Sequence, residues 1–288
     1  MAAVRDGSDV ALSLRSLGRR RIASLLVAAA TIAAIAAPSS ATAATDQVDA
    51  TAITAAETAM VEALNTDRTD RGLVPVRVDA RLMAIARARS NDMVAKSYFS
   101  HTQPDGRNVF DILTAQHITW YNAGEIIAWN TYPMDSTVSA ANRQWVGSPG
   151  HFAILTSADY NYVGVGLAVT DAGKKVWTAV YLKGPDRTAA RAATGAPGFG
   201  AWTTAKSRRA TIGWSGYDPK LQVLTAGLRS FKVQIRVDGA SWRTISSGTT
   251  SRSWTFTAWK GHHYDVRISP LDRAGNRGSW VTSVVDLN

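Results

Sequence analysis

The spacing of apolar residues changes along this chain of 288 residues, and the change restricts the folds that it can adopt. Helical spacing is found in residues 52–72, 79–94, 109–113 and 136–146. Strand-type runs occupy residues 124–129, 162–169 and 176–182, and Asp171-Ala172-Gly173 between the last two is typical of a hairpin turn. Because helices come first and antiparallel strands close the segment, we predict an α+β domain with a mixed antiparallel sheet and helices on its faces.

The first 43 residues read as an export signal. Arg15 and Arg19 to Arg21 form a basic region, residues 22–36 are an apolar run, and Ala41-Thr42-Ala43 offers a small-residue cleavage site. A membrane anchor is the alternative, but the run is shorter than the roughly 20 residues that span a bilayer. A twin-arginine signal is a further alternative export route. The sequence also has no cysteine, which excludes disulfides and thiol catalysis. We therefore expect a protein that is secreted or lies at the cell envelope.

The positive charge is concentrated at the C-terminal end. Residues 198–288 carry 13 Lys and Arg against 5 Asp and Glu, whereas residues 44–197 carry 14 against 15. A basic domain on a nearly neutral body favours attraction to a polyanion. We expect an anionic cell-wall polymer or a membrane surface as that partner, and not nucleic acid. The alternative is that the charge serves only solubility.

Two of the five histidines stand in turn-rich contexts with a glutamate between them. His101 follows Ser100, Glu125 lies in a Gly-Glu-Ile-Ile run, and His151 ends Ser148-Pro149-Gly150-His151. Ser148 is a good helix N-cap and proline is favoured at the first helical position, so His151 is expected in a first helical turn. There the helix dipole disfavours a charged imidazole, and the neutral form is the one that binds metal.

Two imidazoles and one carboxylate form the smallest set that holds a divalent metal and keeps a position open. His101, Glu125 and His151 are therefore the candidate ligands of zinc or another divalent metal, and the candidate catalytic residues. We also expect Gly124 to open the floor of the site beside Glu125, although a glycine in a strand can equally mark a bulge. In the structural alternative, His101 only bonds across the Pro104-Asp105-Gly106 turn, and Glu125 satisfies a buried backbone group.

A set of motifs in order resembles the bacterial type of the CAP superfamily, which comprises cysteine-rich secretory proteins, antigen 5 and plant pathogenesis-related proteins. The motifs are Asn65…Arg68…Gly72, Tyr98-Phe99-Ser100-His101, Gly124-Glu125-Ile126, Trp145…Ser148-Pro149-Gly150-His151 and Val163-Gly164-Val165-Gly166. The resemblance implies a three-layer α-β-α sandwich over residues 50–183. It also implies a cleft lined by two histidines and two acids, which binds zinc or another divalent ion in some members.

His101, Glu125 and His151 match three of those four cleft positions. The second acid is absent, because residues 142–150 contain no Asp or Glu, and Gln144 or Ser148 lies nearest its place. The departure weakens any mechanism that needs two carboxylates.

Residues 184–200 are rich in Gly, Pro, Ala and Thr and are expected to be a linker. Beyond them, short strand-like runs alternate with turns, and residues 231–237 alternate strictly before an Asp238-Gly239 turn. We predict an all-β, immunoglobulin-like sandwich over residues 201–288. The segment around Tyr264 and Asp272-Arg273-Ala274-Gly275-Asn276 resembles a fibronectin type III-like domain, in which Tyr264 matches the corner tyrosine.

Three functions remain open from the sequence. The leading hypothesis is a secreted binding module whose cleft takes a small ligand or divalent metal, and whose basic β-sandwich stays near the cell envelope. The rival is a metal-dependent hydrolase, a peptidase or esterase, that uses Glu125 as ligand or general base in the same cleft. The third, which rests on the resemblance alone, is a lipid or sterol carrier. The sequence does not decide whether the chain is an enzyme, and it does not give the oligomeric state.

Overall fold

The computed structural model describes residues 40–287, with side chains from residue 50 onward. The predicted export signal therefore lies outside the described residues, except for its last four, which begin the first helix. Among the helices of the described part, none is both long and apolar enough to cross a membrane.

The N-terminal half contains five helices and a four-stranded sheet. In chain order its elements are α1 (Ser40–Thr69), β1 (Arg77–Val78), α2 (Ala80–Ala95), α3 (Val109–Ala115), β2 (Asn122–Asn130), α4 (Thr137–Gly147), α5 (Pro149–Leu155), β3 (Tyr162–Val169) and β4 (Lys175–Lys183). The sheet has the order β1-β3-β4-β2, with β1 parallel to β3 and the other pairs antiparallel. The predicted mixture of helices with a mixed, mainly antiparallel sheet is confirmed.

Helices cover both faces of this sheet. On one face, α1, α4 and α5 bury Met60, Leu64, Trp145 and Leu155 against alternate residues of β3 and β4. On the other face, α2 and α3 bury Leu82, Ile85 and Leu113 against the intervening residues. Because successive strand residues point to opposite faces, the near-continuous apolar runs of β3 and β4 serve both cores. The result is a three-layer α-β-α arrangement.

The glycines of β3 let α2 approach the sheet closely. A Cβ atom added at Gly164 would overlap the backbone of Leu82 and Met83, and one added at Gly166 would overlap that of Ala86 and Arg87. The N-terminus of α2 is fixed by Asp79, whose side chain accepts a hydrogen bond from Arg81 N–H at 2.9 Å. The Gly-x-Gly spacing therefore sets the depth at which α2 carries its side chains towards β2.

The C-terminal part is made of strands in two sheets. Its elements are β5 (Arg191–Thr194), β6 (Gly198–Thr204), β7 (Ser207–Tyr217), β8 (Leu228–Val237), β9 (Arg243–Thr249), β10 (Ser253–Trp259), β11 (His263–Asp272) and β12 (Val281–Asp286). One sheet has the order β10-β7-β5 with β6 also paired to β7, and the other has the order β12-β11-β8-β9. Ile212, Phe231, Val266 and Val285, from four of these strands, belong to one buried cluster. The two sheets thus share one core.

Residues 184–200 differ from the expected linker. Strand β5 and the start of β6 lie within them and pair with β7, and Ala192 packs against the core of the β-domain. The sequence did not indicate this strand because Arg191–Thr194 is only four residues long and has no large apolar side chain that would produce a strand-type alternation.

The two halves are also joined by side-chain contacts. Asn161 donates to Gly184 O at 2.8 Å and to Val223 O at 3.2 Å, and Val74 N–H donates to Gln222 Oε1 at 2.6 Å. Leu221 is buried in the cluster that contains Leu82. The described residues from Ala44 onward accordingly form one compact unit.

Candidate functional site

The structure brings His101 and Glu125 into direct contact and places His151 beside them. Glu125 lies in β2 with its side chain 3% exposed, whereas His101 lies in the loop after α2 with its side chain 53% exposed. His101 Nδ1 is 2.8 Å from Glu125 Oε2. The imidazole rings of His101 and His151 are 6.5 Å apart, centre to centre, in an edge-on arrangement. The predicted proximity of these residues is therefore present in the structure.

Arg89, which the sequence analysis did not single out, is the central cation of the site. It lies in α2 with its side chain 1% exposed, and its Nε donates to Glu125 Oε1 at 2.8 Å. Its Nη2 donates to the carbonyl oxygens of Ser100 at 2.8 Å and His101 at 3.0 Å. The guanidinium therefore neutralises Glu125 and fixes the loop that carries His101.

A second layer of polar side chains supports the same loop. Arg89 Nη1 donates to the Tyr98 hydroxyl at 2.8 Å, which in turn donates to Asp92 Oδ2 at 2.7 Å. The same oxygen accepts from Gln103 Nε2 at 3.0 Å. The hydrogen bonds from Lys96, Tyr98 and Gln103 lower the pKa of Asp92 to about 2, against the opposing effect of burial. Burial and the bond to Asp92 raise the pKa of Tyr98 to about 12.

His151 is the third residue of α5, as the Ser-Pro-Gly-His pattern predicts. Its pKa is lowered, first because the ring is partly buried and second because His101 lies close to it. A neutral imidazole at His151 was expected from the helix dipole, but burial and His101 are the causes in this structure. Ser148 has extended backbone angles at the N-cap position, yet its hydroxyl makes no capping bond.

Arg68 anchors the other end of α5. Its guanidinium donates to the carbonyl oxygens of Leu155 at 2.9 Å and Ser157 at 2.8 Å, where the helix ends. The residue is fully buried, and burial lowers its pKa. Arg68 is one of the residues by which the CAP resemblance was recognised, and here it holds the helix that carries His151.

The space beside Glu125 is not open at Gly124. A Cβ atom added there would lie 2.9 Å from the Tyr160 hydroxyl and 3.0 Å from Ile154 Cγ2. The expectation that Gly124 opens the cleft floor is therefore wrong, because Tyr160 and Ile154 fill that space. Near the missing second acid, the Gln144 amide donates to Trp129 O at 3.1 Å.

The arrangement does not fit a metal held by all three predicted ligands. Both oxygens of Glu125 already accept hydrogen bonds, Oε1 from Arg89 and Oε2 from His101. A divalent metal at Glu125 would lie beside the positively charged Arg89 guanidinium, which also reaches Oε2 at 3.4 Å, and would compete with it for the carboxylate. Within the described residues, three carboxylate or imidazole ligands come within 4.8 Å of one another at Asp186, Asp218 and Asp272, and not at His101, Glu125 and His151.

The three aspartates lie at the junction of the two halves. Asp186 and Asp272 are buried, and their carboxylates accept from the backbone N–H groups of Thr188, Ala226 and Asn276. Burial and the neighbouring charges of Asp186 and Asp272 raise the pKa of Asp218. Sequence analysis missed the cluster because its members are separated by 32 and 54 residues.

Comparisons with known proteins agree with this fold. Residues 61–181 match the model of the cysteine-rich secretory protein family, CAP. The chain is 32% identical over 126 residues to the uncharacterized protein YkwD of Bacillus subtilis, which covers 44% of this chain and 46% of that protein. It is 29% identical over 128 residues to the uncharacterized membrane protein YlbC of the same organism, which covers 44% of this chain and 34% of that protein. The match thus spans less than half the length of either relative.

Similar solved structures include an extracellular protein with an SCP domain from Bacillus anthracis. It has 27% identity and a TM-score of 0.40, and the match covers 45% of this chain and 41% of that one. Another is an outer surface protein of Borrelia burgdorferi, with 17% identity and a TM-score of 0.40, over 45% of this chain and 92% of that one. The family match supports a CAP domain in the N-terminal half of the chain.

Proposed function

We propose that the chain is an exported binding module, in which the cleft of its CAP domain takes a ligand at His101 and His151. The basic β-domain, which we propose to be of the fibronectin type III kind, keeps the module at an anionic cell envelope. The observation that carries the cleft proposal is the 2.8 Å contact between His101 Nδ1 and Glu125 Oε2. For the β-domain, the support is the buried Tyr264, whose hydroxyl accepts from Trp259 N–H at 2.9 Å as a corner tyrosine does.

The contact assigns a positioning role to Glu125. A carboxylate that accepts from Nδ1–H fixes the imidazole tautomer and leaves Nε2 with its lone pair for a ligand. Because Arg89 holds the carboxylate from the other side, Glu125 acts on the ligand through His101. In place of the three-ligand set we therefore propose a pair of imidazoles with an orienting carboxylate behind one of them.

Zinc or another divalent metal is the probe that best suits a pair of imidazole nitrogens. We expect the purified protein to bind zinc in a calorimetric titration at micromolar concentrations, and we expect His101→Ala and His151→Ala to abolish binding. Glu125→Gln should weaken it about 10- to 100-fold, as changes behind a ligating histidine do. His117→Asn is the control, because His117 is exposed, lies in the same half, and has a positive φ of 54° that asparagine tolerates.

Two results would count against this reading of the cleft. If the unaltered protein takes up no zinc, a metal is not what the cleft binds. Complete loss in Glu125→Gln, with thermal unfolding unchanged, would restore Glu125 as a direct ligand.

Hydrolysis is the second candidate, and the same hydrogen bond favours it. An imidazole oriented by a buried carboxylate is the arrangement of a general base, and His101 Nε2 could take a proton from an attacking water. Peptide and ester panels test this, with Glu125→Gln expected to lower kcat more than it raises KM. If the protein binds ligand but hydrolyses none of these substrates, the result contradicts the hydrolase and favours the binding module.

A lipid carrier has one supporting observation, a groove of about 720 Å³ between α1 and α4. Its α1 wall is built from alanines, including Ala55, Ala59 and Ala63, and Val138 lies on the α4 side. Ala59→Trp would fill this groove. A lipid carrier requires that this variant lose binding of a fluorescent fatty acid while His101→Ala retains it.

Attachment to the envelope rests on the excess of 13 basic over 5 acidic residues in positions 198–288. Sedimentation with isolated cell walls at rising salt tests it directly. Binding that weakens as salt rises supports an electrostatic tether, whereas absent or salt-independent binding contradicts it.

A further inference from the structure

Two exposed rings alternate with two cations along one edge of the β-domain. Arg208 in β7 has its guanidinium carbon 3.8 Å from the ring centre of Phe199 and 4.9 Å from that of Trp202, both in β6. Lys260, just after β10, has its Nζ 5.0 Å from the ring centre of Trp202. We call these four residues the ring–cation edge.

The edge is open to solvent. Every residue of β6 is exposed, and Phe199 and Trp202 keep 41% and 46% of their surface accessible. Among the described strands, β6 pairs only with β7, and its register shifts twice, at Phe199/Trp202 and Trp202/Thr204. An edge strand with this much exposed aromatic surface is a recognised place for a partner to bind.

The two cations of the edge have no carboxylate partner in the described part of the chain. Within the described residues, no ion pair involves Arg208 or Lys260. The Arg208 Nε is buried, so Nη1 and Nη2 are the donors left for a partner. Stacking on rings occupies the faces of a guanidinium and leaves its N–H groups free to reach an anion. The two cations of the edge are therefore positioned by the aromatic rings, while their charges have no acidic partner among the described residues.

A second stack in the same domain shows the contrast. Arg267 lies 3.9 Å from the ring centre of Trp242 and 4.3 Å from that of Trp280. Arg236 also lies over Trp242, at 4.7 Å from its ring centre. Both cations are satisfied internally, since Arg267 donates twice to Gln234 Oε1 and Arg236 donates to Asp265 Oδ2 at 2.6 Å. Stacking of cations on rings thus occurs twice in this domain. Of the two stacks, the ring–cation edge is the one whose cations have N–H groups without a side-chain acceptor.

We propose that the ring–cation edge binds the phosphodiester groups of an anionic cell-wall polymer. Arg208 would donate two parallel N–H···O bonds to a phosphate, Lys260 would take a neighbouring charge, and the exposed ring surfaces would contact the carbon-rich side of the polymer. The proposal rests on the envelope tether proposed above and names its partner.

Two other polyanions fit the edge less well. Single-stranded nucleic acid binds by stacking bases on ring faces, but Arg208 and Lys260 already lie over Trp202, and Arg208 over Phe199. A membrane surface is usually bound by an amphipathic helix with an apolar face, and this edge is a strand. A phosphodiester polymer needs only the donors that are free.

The test is binding of the purified protein to a polymer of glycerol phosphate, by calorimetry at fixed salt. Arg208→Gln with Lys260→Gln should weaken binding about tenfold or more, since each lost contact is a hydrogen bond between charged groups. Arg229→Gln with Arg243→Gln removes the same charge from exposed positions of the other sheet and should change the dissociation constant less than about threefold. If the first double variant does not fold, Arg208→Lys replaces it as the test. Lysine keeps the charge but not the paired donors, so binding should weaken by less than about tenfold but measurably.

Several results would overturn the proposal. Equal losses in the two double variants would mean that the charge acts diffusely. Tighter binding to oligo(dT) or to phosphatidylglycerol vesicles than to the polymer would name a different partner. If cell walls bind the Arg208→Gln, Lys260→Gln variant as well as they bind the unaltered protein, the proposed site at the edge is wrong, but the proposed attachment to the envelope is not. If cell walls bind neither protein, the proposed attachment itself is wrong.

Discussion

Replacing Arg89 by methionine should be among the most damaging single changes in the N-terminal half of the chain. Methionine keeps much of the volume but removes the charge, so the Glu125 carboxylate, 3% exposed, would lose its guanidinium partner. The acceptors on Tyr98, Ser100 and His101 would each lose a donor. Breaking a buried ion pair from one side costs about 3–5 kcal/mol. At about 2–4 °C per kcal/mol for a unit of this size, the midpoint of thermal unfolding should fall by roughly 6–20 °C.

The assay is urea unfolding at neutral pH, followed by tryptophan fluorescence. Arg81→Met is the matched control, because Arg81 lies in the same helix and pairs with Asp79 at 2.8 Å while its side chain is 46% exposed. A surface pair of that kind should cost at most about 1 kcal/mol. Combining Arg89→Met with Glu125→Gln should cost less than the sum of the two single changes, because the second removes the stranded charge. A cost for Arg89→Met no greater than that for Arg81→Met would refute the claim that the site is built on a buried ion pair.

Three further outcomes are expected from stability measurements. Gly166→Ala should destabilise the protein by about 1–3 kcal/mol or more, because the added carbon meets the backbone of α2. Gly147→Ala is the control and should be neutral or slightly stabilising, because an added carbon there has nothing within 4 Å. Equal effects of the two changes would contradict the close approach of α2 to β3. Asp92→Asn should cost about 1 kcal/mol at pH 7. Since folding lowers the pKa of Asp92 to about 2, its contribution is present above pH 4 and is lost as the pH falls towards 2, so a pH-independent deficit would contradict it. Asp218→Asn should instead stabilise the protein by about 0.5–2 kcal/mol at pH 7, because folding raises the pKa of Asp218. The unaltered protein should regain this stability as the pH falls through the raised pKa. If the variant is still the more stable protein in acid, the argument is contradicted.

The two histidines stood out in the sequence because of the turns around them, and Glu125 because it lies in a strand-type run between them. The order of the motifs then implied one cleft. Arg89 escaped because α2 also carries Arg81 and Arg87, which are exposed, and arginines in a helix usually face solvent. A signal was nevertheless present. Arg89 follows Leu82, Ile85 and Ala86 on the apolar stripe of the helix and precedes Met93, so helical period alone placed a charge in the core.

The short strand β5 and the aspartate cluster could not be predicted in the same way. Both depend on which distant segments meet: β5 exists because Arg191–Thr194 pairs with the end of β7, and the cluster exists because Asp186, Asp218 and Asp272 converge at the junction. Neither contact leaves a periodic mark in the chain. Local pattern therefore described the helices and long strands, while long-range pairing decided the junction.

The junction matters for the proposed tether, because it decides whether attachment also orients the cleft. A flexible linker would let the CAP domain turn freely about a bound polymer. Here the Asn161 side chain bonds both to Gly184 and to Val223, and Leu221 is buried in the same cluster as Leu82. The β-domain is therefore held to the N-terminal half at two separate segments of chain. Rotation would break those hydrogen bonds and expose apolar surface. A polymer bound at the ring–cation edge should therefore fix the direction in which His101 and His151 face, as well as their distance from the wall.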